Sequence, residues 1–154
     1  MRIETASLEH LDSLTRLTVE FRDYLNGETP SEEEFRAGIT RLMQSSDAEF
    51  FVIVNTENSV CGYILQRYRY SMWKTGTEAR IEDLFVSQEH RRKDLGKALV
   101  AFAIKRAREK GCKTICLDTN ENNTASTRIY SRFGFNSVSK NWNNGRQIFY
   151  RLTF

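Results

Sequence analysis

Arg91, Arg92 and Lys93 stand together between two patterned stretches. Before them runs an apolar segment with Ile81, Leu84, Phe85 and Val86; after them Leu95, Ala98, Leu99 and Phe102 recur at helical spacing. Strand, short basic loop and helix in that order have a definite chemistry. The first amide N–H groups of a helix lack acceptors within it and sit at the positive end of its dipole. A phosphate fits such a place, and three adjoining cations strengthen the field. The stretch Arg91, Arg92, Lys93, Asp94, Leu95, Gly96 and Lys97 therefore reads as a seat for a diphosphate, with the rest of the chain positioning what the diphosphate carries. The bland alternative, a solvated charge run, does not account for its position directly before a helix start.

Carboxylates come next. Glu82 and Asp83 are adjacent on the preceding strand. Side chains alternate between the faces of a strand, so the expectation is that the two face opposite sides and that one alone faces a cleft. Asp118 closes a later apolar run and reads equally as an acidic group for an amine and as a turn former before Thr119 and Asn120. Tyr24, Tyr68, Tyr70 and Trp73 could wall an acceptor pocket, or serve as core or interface.

The elements that must hold these residues follow from period and punctuation. Residues 2–6 read as an edge strand. Ser7 can cap a helix with Leu8, Leu11, Leu14, Thr18, Phe21 and Leu25 on one face, ending near Asn26-Gly27. Ser31 and Glu34 make a capping box for a second helix that buries Phe35, Ile39, Leu42 and Met43. Strands are expected over 50–54, 60–70 and 77–86 as an antiparallel meander. A helix over 95–110, stopped by Gly111, leads to a strand over 114–119, which must lie parallel to 77–86. A short helix over 124–133 ends at Gly134, and strands over 135–139 and 147–154 flank the turn signal Asn143-Asn144-Gly145. The expectation is one α+β domain over 1–154, with a mixed, mostly antiparallel, twisted sheet of about seven strands and about four helices.

Bulk properties exclude several classes. The chain has 154 residues, 40% of them apolar and 28% charged, with a formal net charge of +3. That charge is weak and, apart from 91–93, dispersed, and no stacking motif is evident, so no nucleic-acid partner is expected. No apolar run reaches membrane length and no signal-peptide pattern opens the chain, so the expectation is a cytoplasmic protein with no membrane partner. Cys61, Cys112 and Cys116, with His10 and His90 far apart in sequence, make no metal-ligand set and read as thiols of a reducing compartment.

The order of elements and motifs resembles the GNAT superfamily of acyl-CoA-dependent N-acyltransferases. Its loop pattern is Arg or Gln, two residues, Gly, one residue, then Gly or Ala, and Arg91-Arg92-Lys93-Asp94-Leu95-Gly96 follows it except at Asp94. The run Asn122-Asn123-Thr124-Ala125-Ser126, then Ile129-Tyr130 and Phe133-Gly134-Phe135, is similar to the family's second segment. Within the superfamily, Tyr68-Arg69-Tyr70-Ser71-Met72-Trp73 and Ile81-Glu82-Asp83-Leu84-Phe85-Val86 resemble segments of the diamine and polyamine acetyltransferases.

The resemblance implies acetyl-CoA as co-substrate and a primary amine of a small molecule (polyamine, diamine or amino-acid-like) as acceptor, in a ternary complex. A protein lysine or N-terminus as acceptor, or a non-catalytic acyl-CoA sensor, are the alternatives. It implies a splay between strands 77–86 and 114–119, with backbone of Leu84, Phe85 and Val86 pairing with the pantetheine arm. Tyr130 would be the general acid. Glu82 would be the base or water relay and touch the amine; Asp118, Tyr24 and Trp73 are the further acceptor contacts that residue type and position suggest. Asn123 and Ser126 would meet the cofactor, or simply cap a helix. Asp94 tolerates the left-handed conformation that the family's glycine adopts and can cap the helix, but it sets a negative charge near phosphates. A homodimer is common in the family.

Overall fold

The computed structural model describes residues 1–154. Its chain divides into two compact units, Met1–Leu117 and Asp118–Phe154.

In the first unit, strands β1 (Arg2–Thr5), β2 (Ala48–Val54), β3 (Val60–Ser71), β4 (Gly76–Val86) and β5 (Thr114–Leu117) form one sheet in the order β1-β2-β3-β4-β5. The first three pairings are antiparallel and β4–β5 is parallel, as the helix between them requires. Helices α1 (Leu11–Tyr24) and α2 (Glu32–Met43) cover one face. There Leu14, Leu17 and Ile39 pack on Phe50, Val52, Val54, Tyr63, Leu65 and Phe85. Helix α3 (Leu95–Glu109) covers the other face, where its Phe102 ring meets Phe51 edge-on at 5.1 Å. Helix starts follow sequence chemistry. Ser31 and Glu34 close the expected capping box on α2, whereas Ser7 opens a single 3₁₀ turn, Leu8–His10, before α1 begins.

Strand β2 reads as an unbroken apolar run because both its faces are covered, and Glu49 is the exception. Its carboxylate lies under α3, where Arg106 and the Tyr68 hydroxyl both donate to it, the latter at 2.5 Å. Although burial opposes ionisation, these donors hold Glu49 below the ordinary carboxylate range.

The β3–β4 ladder contains a bulge. Gln66 pairs with Ile81 but Leu65 pairs with Asp83, so Glu82 is an extra residue. The insertion reverses the phase of β4. Ala79 lies in the core under α3 with Tyr68, whereas Phe85, of the same parity, lies under α1 and stacks on Phe21 at 4.9 Å. Past the bulge, Gly62 lets β3 and β4 approach closely; a Cβ there would meet the Phe85 carbonyl oxygen at 2.7 Å.

In the second unit, Asn123 caps α4 (Thr124–Arg132) by accepting from the Ser126 amide at 3.3 Å. Gly134, with φ of +86°, turns the chain out of the helix. Beyond it the expectation of two further strands fails, and the sheet has five strands, not seven. The turn itself forms: Asn143 and Asn144 both take φ of +54°, and a single antiparallel bridge joins Val138 to Arg146. The ladder stops there. Turn residues fix a reversal locally, but a two-stranded ribbon with no third strand or helix against it is marginal. Ile148, Phe149, Tyr150 and Leu152 stay exposed.

Candidate active site

The parallel pairing of β4 with β5 ends at Ile81 and Leu117, while β4 runs on to Val86. The β5-facing edge of Glu82–Val86 therefore has no strand neighbour, and of its backbone groups the Val86 carbonyl accepts from the Arg91 side chain. Its other edge is held by β3, with Val86 opposite Gly62 and Phe85 opposite Tyr63. The free edge leads, through one 3₁₀ turn at Gln88–His90, into the basic loop and α3.

The loop is built by two residues in left-handed conformation, Arg92 (φ +63°) and Asp94 (φ +56°, ψ +16°). The expected tolerance of Asp94 for that conformation is borne out. Its expected capping is not, for the side chain makes no cap hydrogen bond and is exposed. The reason is geometric: a capping side chain belongs to a residue of extended backbone, and Asp94 is left-handed. The first helical bond runs from the Ala98 amide to the Asp94 carbonyl, so the amides of Leu95, Gly96 and Lys97 have no acceptor in the helix. Arg92 and Lys93 are exposed beside them. Arg91 is anchored: its Nε donates to the Val86 carbonyl at 3.1 Å, and its guanidinium lies 4.1 Å from the Tyr24 ring centroid. Such a set of free amides, cations and left-handed residues fits a diphosphate, and the adjoining free strand edge fits the amide-bearing arm of a pantetheine.

Tyr24 thus belongs with the loop, as a support for Arg91. Sequence reasoning missed that role, and the spacing of the two residues gave no sign of it. Trp73 lies in the β3–β4 turn, 91% exposed, and walls nothing in the chain itself. Asp118 follows the last residue of β5.

The acidic pair departs from expectation. Alternation should set Glu82 and Asp83 on opposite faces, but the bulge brings both to the α1–α2 face. Glu82 is exposed and pairs with Arg67 of β3 at 3.7 Å. Asp83, opposite Leu65, is half-buried next to the Tyr63 side chain. Burial first, then the Glu82 charge, push its carboxyl up to about 6. The Tyr63 hydroxyl, wholly buried, has no regular hydrogen-bond partner; Asp83 and Thr18 are the polar groups that it faces.

In the second unit Tyr130 is buried, its ring edge-on to Phe135 at 5.9 Å. Burial raises its phenol above the ordinary value, with the Ser126 hydroxyl opposing. A proton is thereby kept on the oxygen. Asn123 does the capping that was the alternative to a ligand role.

Residues 12–135 match the acetyltransferase (GNAT) family, four-fifths of the chain. The chain belongs to that family. Streptothricin acetyltransferase of Streptomyces lavendulae is 30% identical over 92 residues, 60% of this chain and 47% of that protein. Thialysine N-epsilon-acetyltransferase of Bos taurus is 28% identical over 115 residues, 71% of this chain and 67% of that one. The first-named match, like several others, thus spans about half the length of the relative. An aminoglycoside N-acetyltransferase solved in complex with CoA superposes with a TM-score of 0.78 over 98% of this chain and 93% of that one, at 21% identity, which shows a shared fold. GNAT acetyltransferases use acetyl-CoA, and the free edge of β4 and the loop after it are chemically suited to it.

Proposed function

We propose that this GNAT chain moves the acetyl group of acetyl-CoA to a primary amine of a small molecule, polyamine, diamine or amino-acid-like, by direct attack in a ternary complex. The observation that carries the reading is the unpaired edge of Glu82–Val86 running into the cation-lined loop and the amides of α3. Arg91, Arg92, Lys93, Asp94, Leu95, Gly96 and Lys97 hold the diphosphate, Leu84, Phe85 and Val86 pair with the arm, and a backbone N–H there polarises the thioester carbonyl. Asn123 and Ser126 add contacts to the cofactor. Tyr130, kept protonated by burial, gives a proton to the leaving thiolate.

The acceptor must carry positive charge to the site and lose it there, since a primary amine titrates near ~10. Two carboxylates on one face of β4 suit such a cation. Glu82, exposed and paired with Arg67, binds the ammonium in this reading and serves as base or water relay for its proton. Asp118 and Trp73 remain candidate acceptor contacts in this reading. The relatives named for thialysine and streptothricin support a small amine-bearing acceptor over a protein. We place a homodimer in the same reading, supported by the exposed apolar side chains of 148–154. No helix is long and apolar enough to cross a membrane.

Thiol release from acetyl-CoA over a panel of thialysine, diamines, polyamines, aminoglycosides and a lysine peptide tests the reading, with CoA affinity measured by calorimetry alongside. Turnover confined to small amines supports it. CoA binding without release on any amine would replace it with the sensor, and turnover on the peptide alone with a protein acetyltransferase.

A further inference from the structure

We propose that Glu20 and Tyr24 of α1 are positioning residues for the diphosphate seat. They clamp the 3₁₀ turn Gln88–His90 and the Arg91 that follows it, and so set the seat without touching the cofactor themselves. The inference rests on the reading of the loop after β4 as that seat, and names what holds it in place.

The connection from β4 to α3 has few bonds of its own. The Ser87 amide donates to the Cys61 carbonyl at 2.9 Å, and the His90 amide closes the turn on the Ser87 carbonyl at 3.0 Å. The Ser87 hydroxyl and His90 Nδ1 lie 2.8 Å apart within it. The Gln88 amide opens the turn and has no acceptor inside it. Glu20 supplies one from another element, for its carboxylate accepts from that amide at 3.0 Å across 68 positions of sequence. Arg16, one turn earlier on α1, pairs with the other oxygen of Glu20 at 3.7 Å and is itself fixed by donating to the Val60 carbonyl at 3.0 Å.

Tyr24 follows Glu20 by four residues, so the two stand on one face of the helix. Its ring carries the Arg91 guanidinium at 4.1 Å, and the Phe85 ring lies 5.4 Å from the same guanidinium carbon. Arg91 Nε is engaged by the Val86 carbonyl, which leaves the two terminal nitrogens for an anion. Between the clamp residues Phe21 stacks on Phe85, the contact that docks α1 on this part of the sheet. Glu20, its side chain 34% exposed, and Tyr24, 57% exposed, add little burial to that docking. Their contacts go to the turn and to Arg91. A carboxylate at the approach to an anion's seat repels the anion. Charge alone therefore predicts that removing Glu20 tightens CoA binding, and the clamp predicts the opposite sign.

Calorimetry gives the Kd for CoA of the wild type, Glu20→Ala, Glu20→Gln, Tyr24→Leu and Tyr24→Phe. Thiol release on the best amine of the panel then compares acetyl-CoA with acetyl-pantetheine, which lacks the diphosphate. Expected for Glu20→Ala is a Kd about tenfold higher, with kcat at saturating acetyl-CoA and kcat/KM for acetyl-pantetheine both kept within about twofold. Glu20→Gln keeps an acceptor oxygen and loses the charge, and is expected to restore most of the affinity. Tyr24→Leu is expected to raise the Kd about threefold and Tyr24→Phe, which keeps the ring, to restore it. In an Arg91→Ala background Tyr24→Leu should add nothing, since it acts through Arg91. Tighter or unchanged CoA binding in Glu20→Ala, a Gln variant no better than the Ala one, or equal losses on the two acyl donors overturns the clamp. Should Glu20→Ala fail to fold, the Tyr24 variants decide, and additive losses from Tyr24→Leu and Arg91→Ala overturn it. A wild type that binds no CoA sinks the diphosphate seat itself, a result distinct from tight binding indifferent to Glu20.

Discussion

Asp94 occupies a conformation that glycine reaches at no steric cost, and it does so without a compensating cap bond. Replacing it with glycine should relieve local strain and remove an anion from beside the diphosphate seat. The expected outcome of Asp94→Gly is a Kd for acetyl-CoA lower by about threefold to tenfold at low salt, the gain shrinking as salt screens the charge. Calorimetry at two ionic strengths checks it; equal or weaker binding would show that the carboxylate does not oppose the phosphates. Burial of Tyr130 favours the protonated phenol. Tyr130→Phe should lower kcat by about 100-fold or more and leave CoA affinity within twofold, and near-normal turnover would return Tyr130 to the role of a core ring against Phe135. At this scale the loop residues were legible, since cations before a helix start declare themselves by type and order. Asp83 was not, because its burial and its face are set by neighbours 18 to 20 positions away, Leu65 and Tyr63.

Elements marked by period and punctuation were foreseen: β2 by its apolar run, α2 by its capping box, and the stops of α3 and α4 by Gly111 and Gly134. The bulge was not, since no residue type in Ile81-Glu82-Asp83 announces an insertion and alternation is the default without one. Nor was the failure of the last two strands, where the Asn-Asn-Gly signal specifies the turn but says nothing of what lies alongside. The close approach of β3 and β4 at Gly62 offers a test at this scale. A methyl group there meets backbone, at 2.7 Å from the Phe85 oxygen and 3.1 Å from the Val86 Cα, so the strands must part. Gly62→Ala should cost about 1–3 kcal/mol and lower Tm by several degrees. It should also weaken CoA binding, because the displaced residues carry the free edge. An unaltered melting curve would mean that β4 shifts freely, and that the edge is not held in place by β3.

For the molecule as a whole, the ionisation of Asp83 works against the fold. Its folded carboxyl titrates at about 6 against an ordinary 3.8, so between those values the folded chain holds a proton that the unfolded chain has released. Stability then falls as pH rises through that window and stays lower above it, the sign opposite to that of Glu49 and Glu78, whose lowered carboxyls favour the fold once ionised. With partial solvent contact discounted, the ionised Asp83 costs the fold about 2 kcal/mol at neutral pH. Asp83→Asn removes the charge and keeps the shape. Its urea midpoint should exceed that of the wild type at pH 8 and converge on it below pH 4, where both side chains are neutral. Carboxylates remote from Asp83 titrate alike in both proteins and cancel in the difference; Glu82, whose charge Asp83 feels, is the one that does not. A variant no more stable than the wild type at pH 8, or more stable by the same margin at both pH values, would show that Asp83 carries no buried charge.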